Sequence, residues 1–129
     1  MALGHIAMVT VPVTDQDRAK AFYVDVLGFT VKFDYVMDAE VAGDAGAGAR
    51  WLMLTPPGGG ADITLATWFG DAGPGSLKLS ITCDDVHATY AKLAARGVKA
   101  NNEVEDAPWG RWFGIDDPDG NNWLIVQPR

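Results

Sequence analysis

The chain has 129 residues, 48% of them hydrophobic, and its 17 acidic and 10 basic residues give a formal net charge of −7. This length and apolar content predict one compact domain over residues 1–129, and the acidic balance without a basic run argues against nucleic acid or a membrane surface as a partner. A single Cys83 excludes an internal disulfide, and with no long apolar run and no Lys or Arg ahead of the first apolar stretch we expect a cytoplasmic protein.

The first half of the chain predicts the element order β-α-β-β-β. Residues 5–13 alternate in polarity and predict a strand, and Asp15 then suits the N-cap of a helix that Gly28 ends. Three more strands are predicted at residues 29–37, 50–55 and 61–68. The glycine- and alanine-rich residues 41–49 predict a loop within this half.

The second half predicts the same order. A strand at residues 76–82 leads to a helix that Asp84 or Asp85 caps and Gly97 ends. Three strands are then predicted at residues 98–104, 111–116 and 122–127. Asp84 lies 69 residues after Asp15, and Gly97 lies 69 residues after Gly28, so we predict an internal repeat joined by residues 70–75.

Three motifs occur in order within this paired layout: "VTDQDRAKAFYVDVLGF" (13–29), "DDVHATYAKLAARGV" (84–98) and "DPDGN" (117–121). Together they resemble the vicinal oxygen chelate superfamily, which contains glyoxalase I, bleomycin-resistance proteins and extradiol dioxygenases. The resemblance covers nearly the whole chain and implies an α+β fold of two βαβββ modules, at about residues 4–69 and 76–128. The modules would form a cupped mixed sheet with helices on the convex side and a ligand on the concave side, in a homodimer.

The resemblance also places the four side chains that hold a metal ion in the metal-using members. Those members use His, Glu or Asp, because imidazole and carboxylate groups supply the lone pairs that divalent ions need. The corresponding positions in this chain are Met8, Thr64, Ser76 and Leu124. None of them is a competent ligand, so we expect no metal, no other cofactor and no catalytic residue of the usual kind.

Strand alternation supports this placement without the family. Apolar alternate sets should face the helices, and mixed sets should line a cleft; all four metal positions fall in mixed sets. We therefore predict a ligand-binding cleft lined by Met8, Thr10, Thr64, Trp68, Ser76, Lys78, Trp112 and Leu124. Trp51 stays unassigned because both faces of its strand are apolar, and Trp109 because it lies in a loop.

Lys78 is the side chain of the predicted cleft that could carry chemistry. It could anchor an acidic ligand or act as a base if desolvated, with Asp116 as a second acid–base group. The alternative is that Lys78 reaches solvent or pairs with Asp62 or Asp116. A helix N-terminus could lower the pKa of Cys83, but a small residue at a strand end is the simpler interpretation.

Three functions remain open at this stage. The one we favour is a metal-free binding protein for a small hydrophobic or aromatic molecule, as in antibiotic sequestration by the bleomycin-resistance branch. The second is a glyoxalase-like or dioxygenase-like enzyme, of lyase or isomerase type, that does not use the four-ligand metal site. The third is a small regulatory or structural dimer with a vestigial cleft.

Overall fold

The computed structural model describes residues 2–38, 40, 46, 48–68 and 73–129. The chain divides into two compact units, residues 1–74 and 75–129. Each unit holds one four-stranded mixed sheet whose strands and helix follow the order β-α-β-β-β. The predicted α+β fold of two βαβββ modules is therefore confirmed.

The first unit orders its sheet as β1-β4-β3-β2, with β1 and β4 parallel and the other neighbours antiparallel. Its elements are β1 (Met8–Pro12), α1 (Gln16–Ala21) continued by a π-helical turn (Phe22–Val26), β2 (Thr30–Val36), β3 (Arg50–Thr55) and β4 (Asp62–Ala66). The fourth predicted strand thus ends before Trp68. Most of the predicted loop at 41–49 lies outside the described residues.

The helix of the first unit begins where the sequence predicts. The Asp15 side chain accepts a hydrogen bond from the Arg18 amide at 3.0 Å, which satisfies one free donor of the first turn. The Gln16 side chain donates to the backbone carbonyls of Arg50 and Leu65, at 2.9 and 2.8 Å. These bonds fix the start of the helix on the sheet. The core between the helix and the sheet contains six fully buried residues: Val11, Ala19, Tyr23, Leu52, Leu54 and Leu65.

The second unit has the equivalent sheet order, β5-β8-β7-β6. Its elements are β5 (Lys78–Thr82), α2 (Val86–Ala95), β6 (Glu105–Ala107), β7 (Gly110–Asp116) and β8 (Asn122–Pro128). The strand predicted at 98–104 is wrong, because β6 begins only at Glu105. The Asn102 side chain accepts from the Gly114 amide at 2.8 Å, so a side-chain oxygen replaces the backbone acceptor that a strand would offer.

The helical segments of the two units differ by one residue in the spacing from the capping aspartate to the terminating glycine. Asp85, not Asp84, caps α2, since its carboxylate accepts from the Ala88 amide at 3.1 Å. The caps Asp15 and Asp85 are therefore 70 residues apart, whereas Gly28 and Gly97 are 69 apart. A π-helical turn is the usual way for a helix to hold one extra residue, and residues 22–26 form one in the first unit.

The "DPDGN" motif serves the fold. The Asp117 carboxylate accepts from the amides of Asp119 and Asn121, both at 2.9 Å, which closes the turn. The Asn121 side chain accepts in turn from the amides of Gly75 and Leu77, at 3.1 and 3.2 Å. The turn therefore ties the start of β8 to the segment that leads into β5.

Candidate ligand-binding site

One face of the first sheet packs on its helix, and the opposite face carries an unusual set of side chains. Leu52, Leu54 and Leu65 point towards the helix and are fully buried. Since side chains alternate along a strand, the residues between them point the other way. The strand registers and side-chain contacts assemble this opposite face, named here the aromatic face, from Met8, Thr10, Phe33, Tyr35, Trp51, Met53 and Thr64, with Trp68 just beyond β4.

Met8 and Thr64, at two of the four metal positions, contact each other on this face. The Thr64 hydroxyl donates a hydrogen bond to the Met8 sulfur, with 2.6 Å between Oγ1 and Sδ. Thr64 is buried, and its Cα partner across the parallel pair is Thr10. The three predicted cleft residues of β1 and β4 therefore lie side by side. At the two metal positions among them, a thioether and one hydroxyl stand where the metal-using members carry carboxylate or imidazole ligands.

Aromatic rings cover the end of the face that lies away from Met8. Trp51 and Trp68 stack, with ring centroids 6.4 Å apart and an interplanar angle of 22°. Phe33 and Tyr35 meet edge to face at 6.4 Å and remain 47% and 46% exposed. Such exposure is unusual for large rings on a regular strand and is typical of a binding surface.

Sequence reasoning assigned Trp68 to the predicted cleft but did not include Trp51, Phe33, Tyr35 or Met53. Trp68 lies past the end of β4, so its stack on Trp51, not strand alternation, places it on this face. Trp51 and Met53 lie on β3, where both faces are apolar and alternation gives no direction. Phe33 and Tyr35 form an apolar alternate set on β2, and the alternation rule assigns such a set to the helix side. Cross-strand pairing shows which face these side chains occupy, because directly paired residues point to the same face. Phe33 pairs with Met53, and Met53 pairs with Thr64.

A β-bulge in β2 adds a charged group to the aromatic face. Val31 pairs with Leu54 and Phe33 with Met53, so Lys32 is the extra residue of the bulge. Its ammonium group reaches across β3 and lies 2.8 Å from an oxygen of Asp62. The hydrogen bond from Lys32, with another from Thr55, holds the pKa of Asp62 below its usual range despite burial.

Behind the aromatic face, on the helix side, a second ion pair braces β2 against β3. The guanidinium of Arg50 contacts both oxygens of Asp34, at 2.7 and 2.9 Å, and also reaches Asp17 at 2.6 Å. Lys20 donates to Asp34 at 2.8 Å. The hydrogen bonds from Arg50 and then Lys20 hold the pKa of Asp34 far below its ordinary value, and those from Asp34 and then Asp17 raise the pKa of Arg50.

In the second unit, three of the predicted cleft residues lie on one face of the sheet. Phe113 and Ile115 are fully buried on the helix side, as predicted, so Trp112 and Asp116 face away from it. Leu124 shares that face through its pairing with Gly114. Lys78 begins β5 and pairs with Asn122, the partner of Asp116.

Ser76 does not open the fifth strand, which begins two residues later at Lys78. Met8 and Lys78 are each the first residue of their strand, and each precedes its capping aspartate by seven residues. The counterpart of Met8 in the second unit is therefore Lys78. Lys78 is exposed at the strand margin and is therefore not desolvated. This agrees with the alternative stated above, in which Lys78 reaches solvent.

The two sheets carry tryptophan at equivalent positions. Met53 pairs with Thr64 in one sheet, and Gly114 pairs with Leu124 in the other, so Trp51 and Trp112 correspond. Each follows an arginine, and each belongs to a stacked pair. Trp112 stacks on Trp109, with centroids 6.1 Å apart and an angle of 29°, which places Trp109 at the β6–β7 turn beside the same face.

Little in the described parts of the chain suggests metal or nucleophilic chemistry. Across those ranges no three His, Cys, Asp or Glu side chains are grouped so that they could hold a metal ion. Asp116 is engaged, since it accepts from the side chains of Asn101 and Asn122 at 3.1 and 3.2 Å. Burial raises the pKa of the Cys83 thiol, so the helix N-terminus does not activate it.

A cavity of about 200 Å³ lies on the helix side of the second sheet. It is lined by Tyr90, Leu93, Ala94, Val98, Lys99, Ala100, Phe113 and Ile115. None of these is a residue of the predicted cleft. The cavity is a gap in the packing of α2 on its sheet and not the site that the strand positions indicate.

The sequence profile of the Glyoxalase/Bleomycin resistance protein/Dioxygenase superfamily matches residues 2–125. The chain belongs to this superfamily. It is 31% identical over 127 residues to the protein YetH of Bacillus subtilis (strain 168), covering 97% of this chain and 99% of YetH. No helix within the described residues is long and apolar enough to cross a membrane.

Solved structures extend this relationship. The chain is 39% identical to TnmS3, an antibiotic binding protein from Streptomyces sp. CB03234, over 100% of this chain and 99% of that one, with a TM-score of 0.87. It is 30% identical to a member of the superfamily from Sphaerobacter thermophilus DSM 20745, over 97% of this chain and 98% of that one, with a TM-score of 0.80.

Proposed function

We propose that this protein binds a small hydrophobic or aromatic molecule and sequesters it, without a catalytic metal. The aromatic face of the first sheet carries the proposal. It presents the Trp51–Trp68 stack beside two half-exposed rings, while its metal positions hold a thioether and a hydroxyl that bond to each other. Aromatic surfaces of this kind suit flat or conjugated ligands, and the exposed hydroxyl of Thr10 can orient them.

The relationship to TnmS3 supports a binding role over an enzymatic one. TnmS3 is an antibiotic binding protein, and the likeness extends over the whole chain at 39% identity. An antibiotic is therefore a reasonable ligand class for this protein. Of the two acid–base groups that the sequence offered for a lyase or isomerase, Lys78 is exposed and Asp116 is engaged by two asparagines.

The absence of a catalytic metal is part of the proposal and can be measured directly. Neither thioether nor hydroxyl side chains compete well for the divalent ions that the metal-using members hold. Elemental analysis of dialysed protein should give far less than one transition metal ion per chain. A lactoylglutathione lyase assay with added nickel or zinc should stay at background. A stoichiometric metal that survives dialysis would contradict this part of the proposal.

We also propose a cytoplasmic homodimer. Within each sheet, β1 and β2, or β5 and β6, are edge strands. Open edges favour pairing with another sheet, and members of the superfamily close such edges by pairing modules within or between chains. Light scattering at micromolar concentration should therefore return the mass of two chains. A monomer would count against this assembly without bearing on ligand binding.

The binding site can be tested with a neutral aromatic probe, N-phenyl-1-naphthylamine, whose fluorescence rises in apolar surroundings. The Trp51→Ala, Trp68→Ala double variant should bind the probe several-fold more weakly, since each aromatic pair contributes on the order of 0.5–1.5 kcal/mol beyond area burial. Trp112→Ala tests the equivalent face of the second sheet. Phe22→Ala is the control, because Phe22 contacts Tyr23 on the helix side. Equal affinity in the parent and the double variant would refute the aromatic face as the site.

A further inference from the structure

The aromatic face has a polar end. Lys32, Asp62 and Thr55 lie at the end of the face near Met8, whereas Tyr35 and Trp51 lie at the other end. The row formed by Phe33, Met53 and Thr64 separates the two. Successive rows on one face are two residues apart along a strand, which is about 7 Å. The polar end therefore lies about 7 Å from the row of Phe33 and about 14 Å from that of Tyr35 and Trp51.

The bulge directs Lys32 to this end. A regular strand would turn Lys32 to the face opposite that of Phe33, which is the helix side where Asp34 lies. The extra residue breaks the alternation, so that Lys32 and Phe33 both oppose Met53 and both serve the aromatic face. Bulges often redirect a side chain beside a functional site.

Lys32 has unused hydrogen-bonding capacity. Its ammonium has three donors, and among the residues that the structure describes it makes one bond, to Asp62 at 2.8 Å. The Lys32 side chain is 50% exposed, whereas that of Asp62 is 11% exposed. The carboxylate is thus the buried anchor that positions the ammonium, and the ammonium is the group that a ligand can reach.

We propose that Lys32 determines ligand specificity by donating a hydrogen bond to an oxygen of a ligand whose rings lie on the aromatic face. Asp62 is the positioning residue that holds the ammonium there. This inference rests on the proposed function and adds a ligand class: an aromatic molecule with a hydrogen-bond-accepting oxygen, such as a carboxylate, sulfonate, phenolate or carbonyl, on the side of its rings that faces the polar end.

Two fluorescent probes with the same ring system separate this inference from the proposed function. 8-Anilinonaphthalene-1-sulfonate carries an acceptor group, and N-phenyl-1-naphthylamine lacks it. The quantity to measure is the ratio of their dissociation constants in each variant. Lys32→Met should weaken the sulfonate probe about fivefold relative to the neutral probe, as expected for one half-exposed charge-assisted hydrogen bond.

Three further variants make the test specific. Lys32→Arg keeps a charged donor and should retain most of the preference. Asp62→Asn removes the carboxylate that positions the ammonium and should reduce the preference for the sulfonate probe, by less than Lys32→Met does. Lys92→Met removes an equal charge from an exposed position on α2 of the other unit and should leave the ratio unchanged. Circular dichroism and thermal unfolding of each variant establish that it is folded.

The outcomes are distinct. An unchanged ratio in Lys32→Met, or an equal loss of both probes, overturns the role of Lys32 and leaves the proposed function standing. A change of the same size in Lys92→Met shows a general charge effect and also overturns it. If the parent protein binds neither probe, the proposed function fails and this inference fails with it.

Discussion

Replacing Asp34 by asparagine tests how much the ion pairs between Asp34, Arg50 and Lys20 stabilise the sheet that carries the aromatic face. Asn has almost the same size and can still accept a hydrogen bond, so the substitution removes charge and little else. Asp34 receives three charge-assisted bonds, two from Arg50 and one from Lys20. Each is worth roughly 1.5–3 kcal/mol when well shielded. Because the Asp34 side chain is 24% exposed, we expect a total loss of about 2 kcal/mol in the free energy of unfolding.

Asp106 supplies a matched control in the second unit. It also pairs with two cations, Arg111 at 3.2 Å and Arg129 at 2.8 Å, but its side chain is 65% exposed. Surface pairs of this kind contribute about 0–1 kcal/mol, so Asp106→Asn should cost less than half as much as Asp34→Asn. Urea unfolding of the parent and both variants at pH 7, followed by far-UV circular dichroism, gives the comparison. Equal losses would refute the argument from burial.

The effect of Asp34 must also depend on pH with a definite sign. Its folded pKa lies below the value of about 3.9 expected in the unfolded chain, so the charged form stabilises the folded state. This contribution is complete above about pH 5 and is lost as the pH falls below about 4 towards the folded pKa. The stability gap between parent and Asp34→Asn should therefore be constant from pH 5 to 8 and narrow at pH 3. A gap that stayed constant down to pH 3 would contradict the ion pair as its source.

Three further predictions concern the core, the cysteine and the metal positions. Phe113→Ala should lower the free energy of unfolding by about 3–5 kcal/mol, because its ring is fully buried and meets Tyr90 at 5.1 Å; a loss below 1 kcal/mol would contradict that packing. Cys83 should react with iodoacetamide more slowly at pH 8 than free cysteine does, since burial raises its pKa, and a rate matching free cysteine would count against this. Met8→His combined with Thr64→Glu should create measurable nickel affinity by calorimetry, because the two side chains already touch. Heat identical to that of the parent would speak against their use as ligand positions.

Alternation of apolar residues predicted the parts of the fold that have one buried face. It correctly set Phe113 and Ile115 against the helix of the second unit, and cap chemistry correctly placed Asp15 at the start of α1. Alternation failed at residues 98–104, where a side chain substitutes for the backbone of a strand. It could not place Trp51, since a strand that is apolar on both faces has no preferred direction.

The candidate site was predictable only in part, for a similar reason. Met8, Thr10 and Thr64 lie on short strands whose register follows from parallel pairing, and they do lie together. The position of Lys32 depends on a bulge, which is a property of the pairing between two strands and leaves no local mark in the sequence. The grouping of residues from both units into one cleft remains a prediction.

The matched Arg-Trp pairs at residues 50–51 and 111–112 bear on the origin of the chain. In the first unit the arginine binds Asp34 on a neighbouring strand, and in the second Arg111 binds Asp106 on the adjacent strand. If the gene arose by duplication of a half-length ancestor, that ancestor already displayed a tryptophan beside an arginine anchored across strands. The ring would then predate the divergence of the halves. Later changes, such as the extra residue at the π-helical turn and the bulge at Lys32, would have altered one copy while the other kept a simpler form.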